Sequence, residues 1–190
     1  MNKIICITGM CGSGKSVIAD ELVKKGFQFA RFGQITLDMV KEKGLPPTEE
    51  NEKKIREDLR KQYGMGAFAI LNLPKFDQLL KKGNLVADGL YSWSEYKILK
   101  ERYKQQIIII SILAPPELRY HRLEARTIID EKMRNRPITP EQAKSRDYAE
   151  IENIEKGGPI AMADYYIINV SGLEELKKEF ETFYQWMIKK

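Results

Sequence analysis

Residues 3–16, Lys3-Ile4-Ile5-Cys6-Ile7-Thr8-Gly9-Met10-Cys11-Gly12-Ser13-Gly14-Lys15-Ser16, decide how this chain folds. The first half is a short apolar run rich in β-branched residues, which reads as a buried strand. The second half spaces three glycines and closes on Lys15-Ser16. Glycine reaches backbone conformations closed to other residues, so Gly9, Gly12 and Gly14 let the chain turn tightly with successive N–H groups pointing inward. From Lys15 to Lys25 the apolar residues Val17, Ile18, Leu22 and Val23 recur at helical spacing, and Gly26 stops the helix. A strand, a glycine-rich turn and a helix N-terminus in that order surround a polyphosphate with short-range donors, aided by the helix dipole. On this reading Gly9, Cys11, Gly12, Ser13, Gly14, Lys15, Ser16 and Val17 line the phosphates of ATP. Lys15 reaches the β- and γ-phosphates, and the Ser16 hydroxyl ligates Mg2+.

Working outward, Phe27–Phe32 and Leu85–Asp88 read as strands, as do Ile107–Leu113 and Tyr165–Val170. Between them lie helices at 35–43, 49–63, roughly 65–82 with an interruption at Pro74, and 95–103. Another helix follows Pro115-Pro116 and carries Arg119, Arg122 and Arg126. Thr139-Pro140-Glu141-Gln142 and Ser171-Gly172-Leu173-Glu174 have the form of capping boxes, each opening a helix. Residues 127–138 are charged and aperiodic, and read as a surface loop. Strands alternating with helices predict a parallel sheet covered on both faces, with ligands at the carboxyl ends of its strands.

Asp88 closes a strand and so falls at such an end, where its carboxylate can hold the Mg2+ shell; the plainer alternative is a turn-capping aspartate. Phosphoryl transfer spreads negative charge, which calls for additional cations. Arg122 and Arg126, four residues apart, would share a helix face, and Arg134, Arg136 and Arg146 bracket the aperiodic loop. His121, the single histidine, reads as a helix-surface or core residue and not as a catalyst.

With 190 residues, 43% hydrophobic and 31% charged, the chain fits one compact domain, residues 1–190, with a real core. Its apolar runs are too short to span a bilayer, and residues 4–8 lead directly into the loop, so no signal peptide or membrane association is expected. Cys6 and Cys11 are held apart by strand geometry, so no disulfide is expected and a cytoplasmic location fits. The net charge of +5 suits an anionic small molecule better than nucleic acid, because no basic surface with interleaved aromatics appears. Glu42, Glu49, Glu50, Glu52, Lys53 and Lys54 read as a solvated face. Oligomeric state is not legible.

These motifs resemble the nucleoside-monophosphate-kinase branch of P-loop proteins, which includes adenylate kinase and dephospho-CoA kinase. The likeness is greatest to a largely archaeal adenylate-kinase-related family. It rests on the glycine-rich loop, on Gly158-Pro159-Ile160-Ala161-Met162-Ala163-Asp164-Tyr165-Tyr166-Ile167-Ile168-Asn169, on Arg122-Leu123-Glu124-Ala125-Arg126 and on Leu59-Arg60-Lys61-Gln62-Tyr63-Gly64. The resemblance implies a three-layer P-loop fold with a five-stranded parallel sheet, an acceptor-binding helical insert at about 33–82 and a lid at about 123–145. It also implies Arg122 stacking on adenine with Asn169 nearby, Arg126 on phosphate, and Arg60 clamping an acceptor phosphate. Arg146 is expected to join Lys15, Asp88 and Arg126 as a catalytic group, and Gly89 and Tyr91 to join Arg60 on the acceptor side.

Two departures bear on the acceptor. Dephospho-CoA kinases place aspartates after the second strand, one of them the base for a ribose hydroxyl; here the chain reads Phe32-Gly33-Gln34. Many nucleotide kinases carry Asp-Gly-x-x-Arg; here it is Asp88-Gly89-Leu90-Tyr91-Ser92. The first departure favours an acceptor that is already a phosphate, for which clamping cations matter more than a base, while the second counts against a standard monophosphate kinase. The alternatives are transfer to a ribose hydroxyl with Asp38 or Asp88 as base, and a nucleotide-binding regulator or slow NTPase.

Overall fold

The computed structural model describes residues 1–126 and 138–190. Strand β1 (Ile4–Thr8) is buried along its whole length, and its alternating side chains feed two separate cores. Ile4 and Cys6 face one side, where they meet Phe32, Phe68 and Phe76; Ile5 and Ile7 face the other, with Ile18, Leu22, Phe180 and Phe183. Such a strand must lie in the middle of a sheet covered twice.

It does. β2 (Gln28–Arg31), β3 (Leu85–Asp88), β4 (Ile107–Leu113) and β5 (Tyr165–Ile168) join β1 in the order β2-β3-β1-β4-β5, and every pairing is parallel. The register sets Ile7 opposite Asp88 on one side and Ile110 on the other. The carboxyl ends of β1 and β3 are therefore neighbours, and the glycine-rich loop emerges beside Asp88. This is the three-layer P-loop α/β fold with a five-stranded parallel sheet.

α1 (Lys15–Lys24) and α9 (Leu173–Met187) cover one face of the sheet, supplying Ile18, Leu22, Leu176, Phe180 and Phe183. α2 (Gln34–Glu42), α3 (Glu49–Tyr63), α4 (Ala67–Leu80) and α5 (Trp93–Tyr103) cover the other. Val40, Ile55, Leu59, Phe68 and Leu99 enter that core, so the 33–82 stretch is built into the main domain. Asn72, itself buried, fastens α4 to the end of β2 by donating to the carbonyl of Phe32 at 3.2 Å. No helix among the described residues is long and apolar enough to cross a membrane. Cys6 and Cys11 are free thiols.

Several local expectations change. α4 runs through Pro74 as a single helix. The carbonyl that Pro74 cannot satisfy belongs to Ile70, an exposed residue, where water can replace the lost bond. α9 begins one residue later than its sequence suggests. Gly172 is the N-cap and makes no side-chain bond, while the Ser171 carbonyl accepts from Arg122 at 3.0 Å.

α6 (Pro116–Glu124) ends before Arg126, so Arg122 and Arg126 do not share a helix face; the chain leaves the helix through Ala125, with Arg126 N–H reaching back to the Leu123 carbonyl. Glu52 is buried next to Arg56 instead of lying on the solvated face. The Thr139–Gln142 capping box forms as expected and opens α7 (Pro140–Glu152). A short α8 (Gly157–Ala161) carries no clear signal in the sequence. Most of the aperiodic loop, with Arg134 and Arg136, lies outside the described residues.

Candidate active site

The loop after β1 is shaped by contact from three sides. Gly9, Gly12 and Gly14 have φ of 136°, 79° and 104°, in the region that favours glycine. A Cβ on Gly9 would collide with the Ile112 carbonyl; on Gly12 it would stand 2.7 Å from the Arg119 carbonyl, and on Gly14 2.5 Å from Asn169 Nδ2. Two anchors orient the loop's peptides. Asn169 Nδ2 donates to the Ser13 carbonyl at 2.8 Å, and Arg119 Nη1 donates to the Cys11 carbonyl at 3.0 Å. In a trans peptide the N–H points away from the C=O, so these anchors aim the N–H groups of Gly12 and Gly14 to the opposite side. That arrangement fits a phosphate.

Lys15 Nζ donates to the Met10 carbonyl at 3.0 Å, so the lysine is folded over the loop. Burial, and next the charge of Lys156, lower its pKa to about 8. Asp88 is buried at the end of β3, and Ser16 lies in the first turn of α1. Mg2+ usually takes one or two protein oxygens together with phosphate oxygens, and Ser16 with Asp88 is a donor set of that kind. Val17 packs against the core, and its N–H is already bonded to the Gly14 carbonyl at 3.1 Å. The buried Ser13 hydroxyl has no hydrogen-bond partner among the described residues.

A second charged group closes the site from the side of α7. Ala143, Asp147 and Glu150 share its buried face. Asp147 accepts from Arg119 at 2.7 Å and from the Tyr120 hydroxyl at 3.0 Å, which ties α7 to α6 and, through Arg119, to the phosphate loop. Glu150 accepts from Arg146 Nε at 3.0 Å with one oxygen and from Lys156 Nζ with the other. Burial alone would raise the Glu150 pKa, but Lys156 and Arg146 overcome it and hold the carboxyl at about 2. Lys156 is 1% exposed, and its ammonium lies 4.5 Å from the centre of the Tyr91 ring.

Beyond Tyr91 stand Arg60 and Glu95. Arg60 rests on the Phe68 ring at 5.2 Å, and its buried Nε has no hydrogen-bond partner among the described residues. Glu95 is fully buried, and its Oε2 accepts from the N–H groups of Tyr91 and Ser92 in a capping box that opens α5. Desolvation outweighs those bonds and raises its pKa to about 7. Gly89 has φ of 91°, and its N–H is bonded to the Ile7 carbonyl at 3.1 Å.

The structure thus sets Lys15 within electrostatic reach of Asp88, Arg146 within reach of Cys11 and Tyr91, and Arg60 within reach of Tyr91, while Ser16 lies in the first turn of α1. Arg122 donates to the Asn169 and Ser171 carbonyls, each at 3.0 Å, joining α6 to the end of β5. Arg126 lies at the edge of the described residues. His121 is exposed on α6, and Asp38 is exposed and hydrogen-bonded to Gln34 at 2.9 Å. Sequence reasoning missed Glu150, Lys156 and Glu95. Ser92-x-x-Glu95 is a readable capping box, and the 143/147/150 spacing is a readable inward stripe; Lys156 carries no local signal.

Comparisons with known proteins agree with this fold. Residues 5–154 match a family model described as an AAA domain. The chain is 37% identical over 188 residues to a UPF0200 protein of Thermococcus gammatolerans, covering 98% of this chain and 96% of that one. It belongs to the UPF0200 family. A UPF0200 protein of Sulfurisphaera tokodaii is 36% identical, covering 94% of each chain. Among solved structures, a shikimate kinase from Bacteroides thetaiotaomicron superposes with a TM-score of 0.59 at 11% identity, covering 97% of this chain and 98% of that one. A gluconokinase from Sinorhizobium meliloti gives a TM-score of 0.55 at 15% identity, covering 97% of each. At such identities the shared property is the P-loop kinase-like fold.

Proposed function

We propose that the chain is a kinase that transfers a phosphoryl group from ATP to a small acceptor already carrying a phosphate, a nucleoside monophosphate. One arrangement carries the reading: a series of groups runs from Lys15 beside Asp88, past Cys11, Arg146 and Tyr91, to Arg60, each within electrostatic reach of the next. In this reading the loop N–H groups and Lys15 bind the donor phosphates. Arg122 and Asn169 border the adenine, and Arg126 and Arg146 balance the charge that spreads during transfer. Arg60 clamps the acceptor phosphate, with Gly89 and Tyr91 flanking it. Mg2+, held by Ser16 and Asp88, would neutralise charge on the phosphate oxygens.

A phosphate oxygen is already anionic, so no dedicated base is required. The position of Asp38 supports the same view, since it is exposed and engaged with Gln34. A coupled assay of ADP release across nucleoside monophosphates and dephospho-CoA tests the reading. Turnover is expected with a monophosphate. Faster turnover with dephospho-CoA would point to a hydroxyl acceptor with Asp88 as base, and tight binding without turnover would point to a nucleotide-binding regulator.

A further inference from the structure

Three features lie outside the assigned roles: the buried pair of Lys156 and Glu150, the buried carboxyl of Glu95, and the exposed apolar residues Tyr166 and Ile168 on the edge strand β5 with Val170 just beyond it. The first leads furthest, because its geometry reaches the site. Glu150 bonds two cations at once, with Arg146 on its outer oxygen and Lys156 on its inner one. Lys156 is in turn braced over the Tyr91 ring, and the neighbouring Arg119–Asp147 pair, 4% and 7% exposed, fixes α7 to the phosphate loop.

Unlike Lys156, Arg146 is half exposed, with a side-chain exposure of 48%. It lies within electrostatic reach of both Cys11 in the loop and Tyr91 after β3. A guanidinium held by its Nε keeps a fixed plane, so its remaining N–H donors point in a set direction.

We propose that Glu150, braced by Lys156, is a positioning residue that aims Arg146 at the terminal phosphate of the bound nucleotide. The inference rests on reading the loop as a nucleotide site. It also accounts for Lys156. Without that buried ammonium Glu150 could swing toward solvent with Arg146, whereas with it the carboxylate stays in place. The arrangement distinguishes a triphosphate from a diphosphate, since Arg146 gains a partner only when the terminal phosphate is present.

The test compares affinities of the full chain for Mg·ADP and for the Mg2+ complex of a non-hydrolysable ATP analogue, by calorimetry. Glu150→Gln should bind ADP within about twofold of the wild type and lose about tenfold in its preference for the analogue. Because Glu150→Gln strands Lys156 as a buried charge and could unfold the chain, the double variant Glu150→Leu/Lys156→Met removes both charges together. It should show the same selective loss. Arg146→Ala should match it as well, and adding Glu150→Gln to Arg146→Ala should cost nothing further.

A folded variant that retains the preference overturns the proposal, as do equal losses for both nucleotides, a wild type with no preference, or unfolding of both the single and the double variant. The ADP-release assay on the wild type separates this from the kinase reading. A chain that binds both nucleotides but transfers nothing sinks that reading and leaves the affinity test intact.

Discussion

In the phosphate loop the groups facing an anion are mainly backbone dipoles, set by three positive-φ glycines and anchored through the carbonyls of Ser13 and Cys11. On the side of α7 and α3 they are whole charges on Arg146 and Arg60, with buried Lys156 behind Glu150 and with Glu95 beside Arg60. The two regions therefore fail differently. The loop is vulnerable to added atoms, and Lys15 makes it sensitive to pH. The far wall depends on charge balance, because each buried ion is acceptable only while its partner remains.

The largest expected effect lies on the loop side. Lys15→Ala removes the one full charge there and should lower phosphoryl transfer by about a hundred- to a thousandfold or more, while the melting temperature stays near that of the wild type. Near-normal turnover in a folded variant would defeat the nucleotide-site reading. On the opposite wall, Arg60→Ala should raise the acceptor KM more than the ATP KM. The loss in kcat/KM should be about ten- to a hundredfold, equivalent to about 1.5–3 kcal/mol for a charge-assisted clamp. An equal rise in both KM values would move Arg60 out of the acceptor site.

Lys15 also gives the loop a pH signature. In the ligand-free protein it titrates near 8, whereas a bound polyphosphate favours its charged form. Above pH 8 binding must then take up a proton, and affinity should fall as pH rises. Between pH 7.5 and 9 the drop for Mg·ADP should be roughly five- to tenfold. Calorimetry in buffers of different ionisation enthalpy should show proton uptake at pH 9 in the wild type and none in Lys15→Ala. Uptake that persists in the variant would assign the proton to another group.

Why one region could be read from the sequence and the other could not follows from the same contrast. A strand, glycines at fixed offsets and a helix start are local, so Gly9–Ser16 declares itself within about fourteen residues, and the β-branched runs give the sheet. The charged wall is assembled over distance: Lys156 bonds Glu150 six residues away, and the fold lays the same ammonium on Tyr91, sixty-five positions earlier. The arginines were legible as a group, yet which one touches the loop was not. Arg119, carried by a helix that reads like any other, proved to be the anchor.

Glu95 offers the finest test of the contrast, since its carboxyl is buried but caps a helix with two backbone bonds. Its pKa of about 7 in the folded chain, against an ordinary 4.5, means that the folded state binds its proton more tightly than the unfolded state does. That contribution to stability is complete below pH 4.5 and is lost as pH rises through 7. Glu95→Gln keeps an oxygen for the N–H groups of Tyr91 and Ser92 and removes the charge. The variant should therefore be stabilised relative to the wild type at pH 8, by about 1–3 kcal/mol, and should match it near pH 4. Thermal melts at the two pH values decide the matter. If Glu95→Gln is less stable than the wild type at pH 8, the ionised carboxylate is a net asset, held by its two N–H donors and by Arg60. The far wall would then depend on that charge as much as it depends on Glu150.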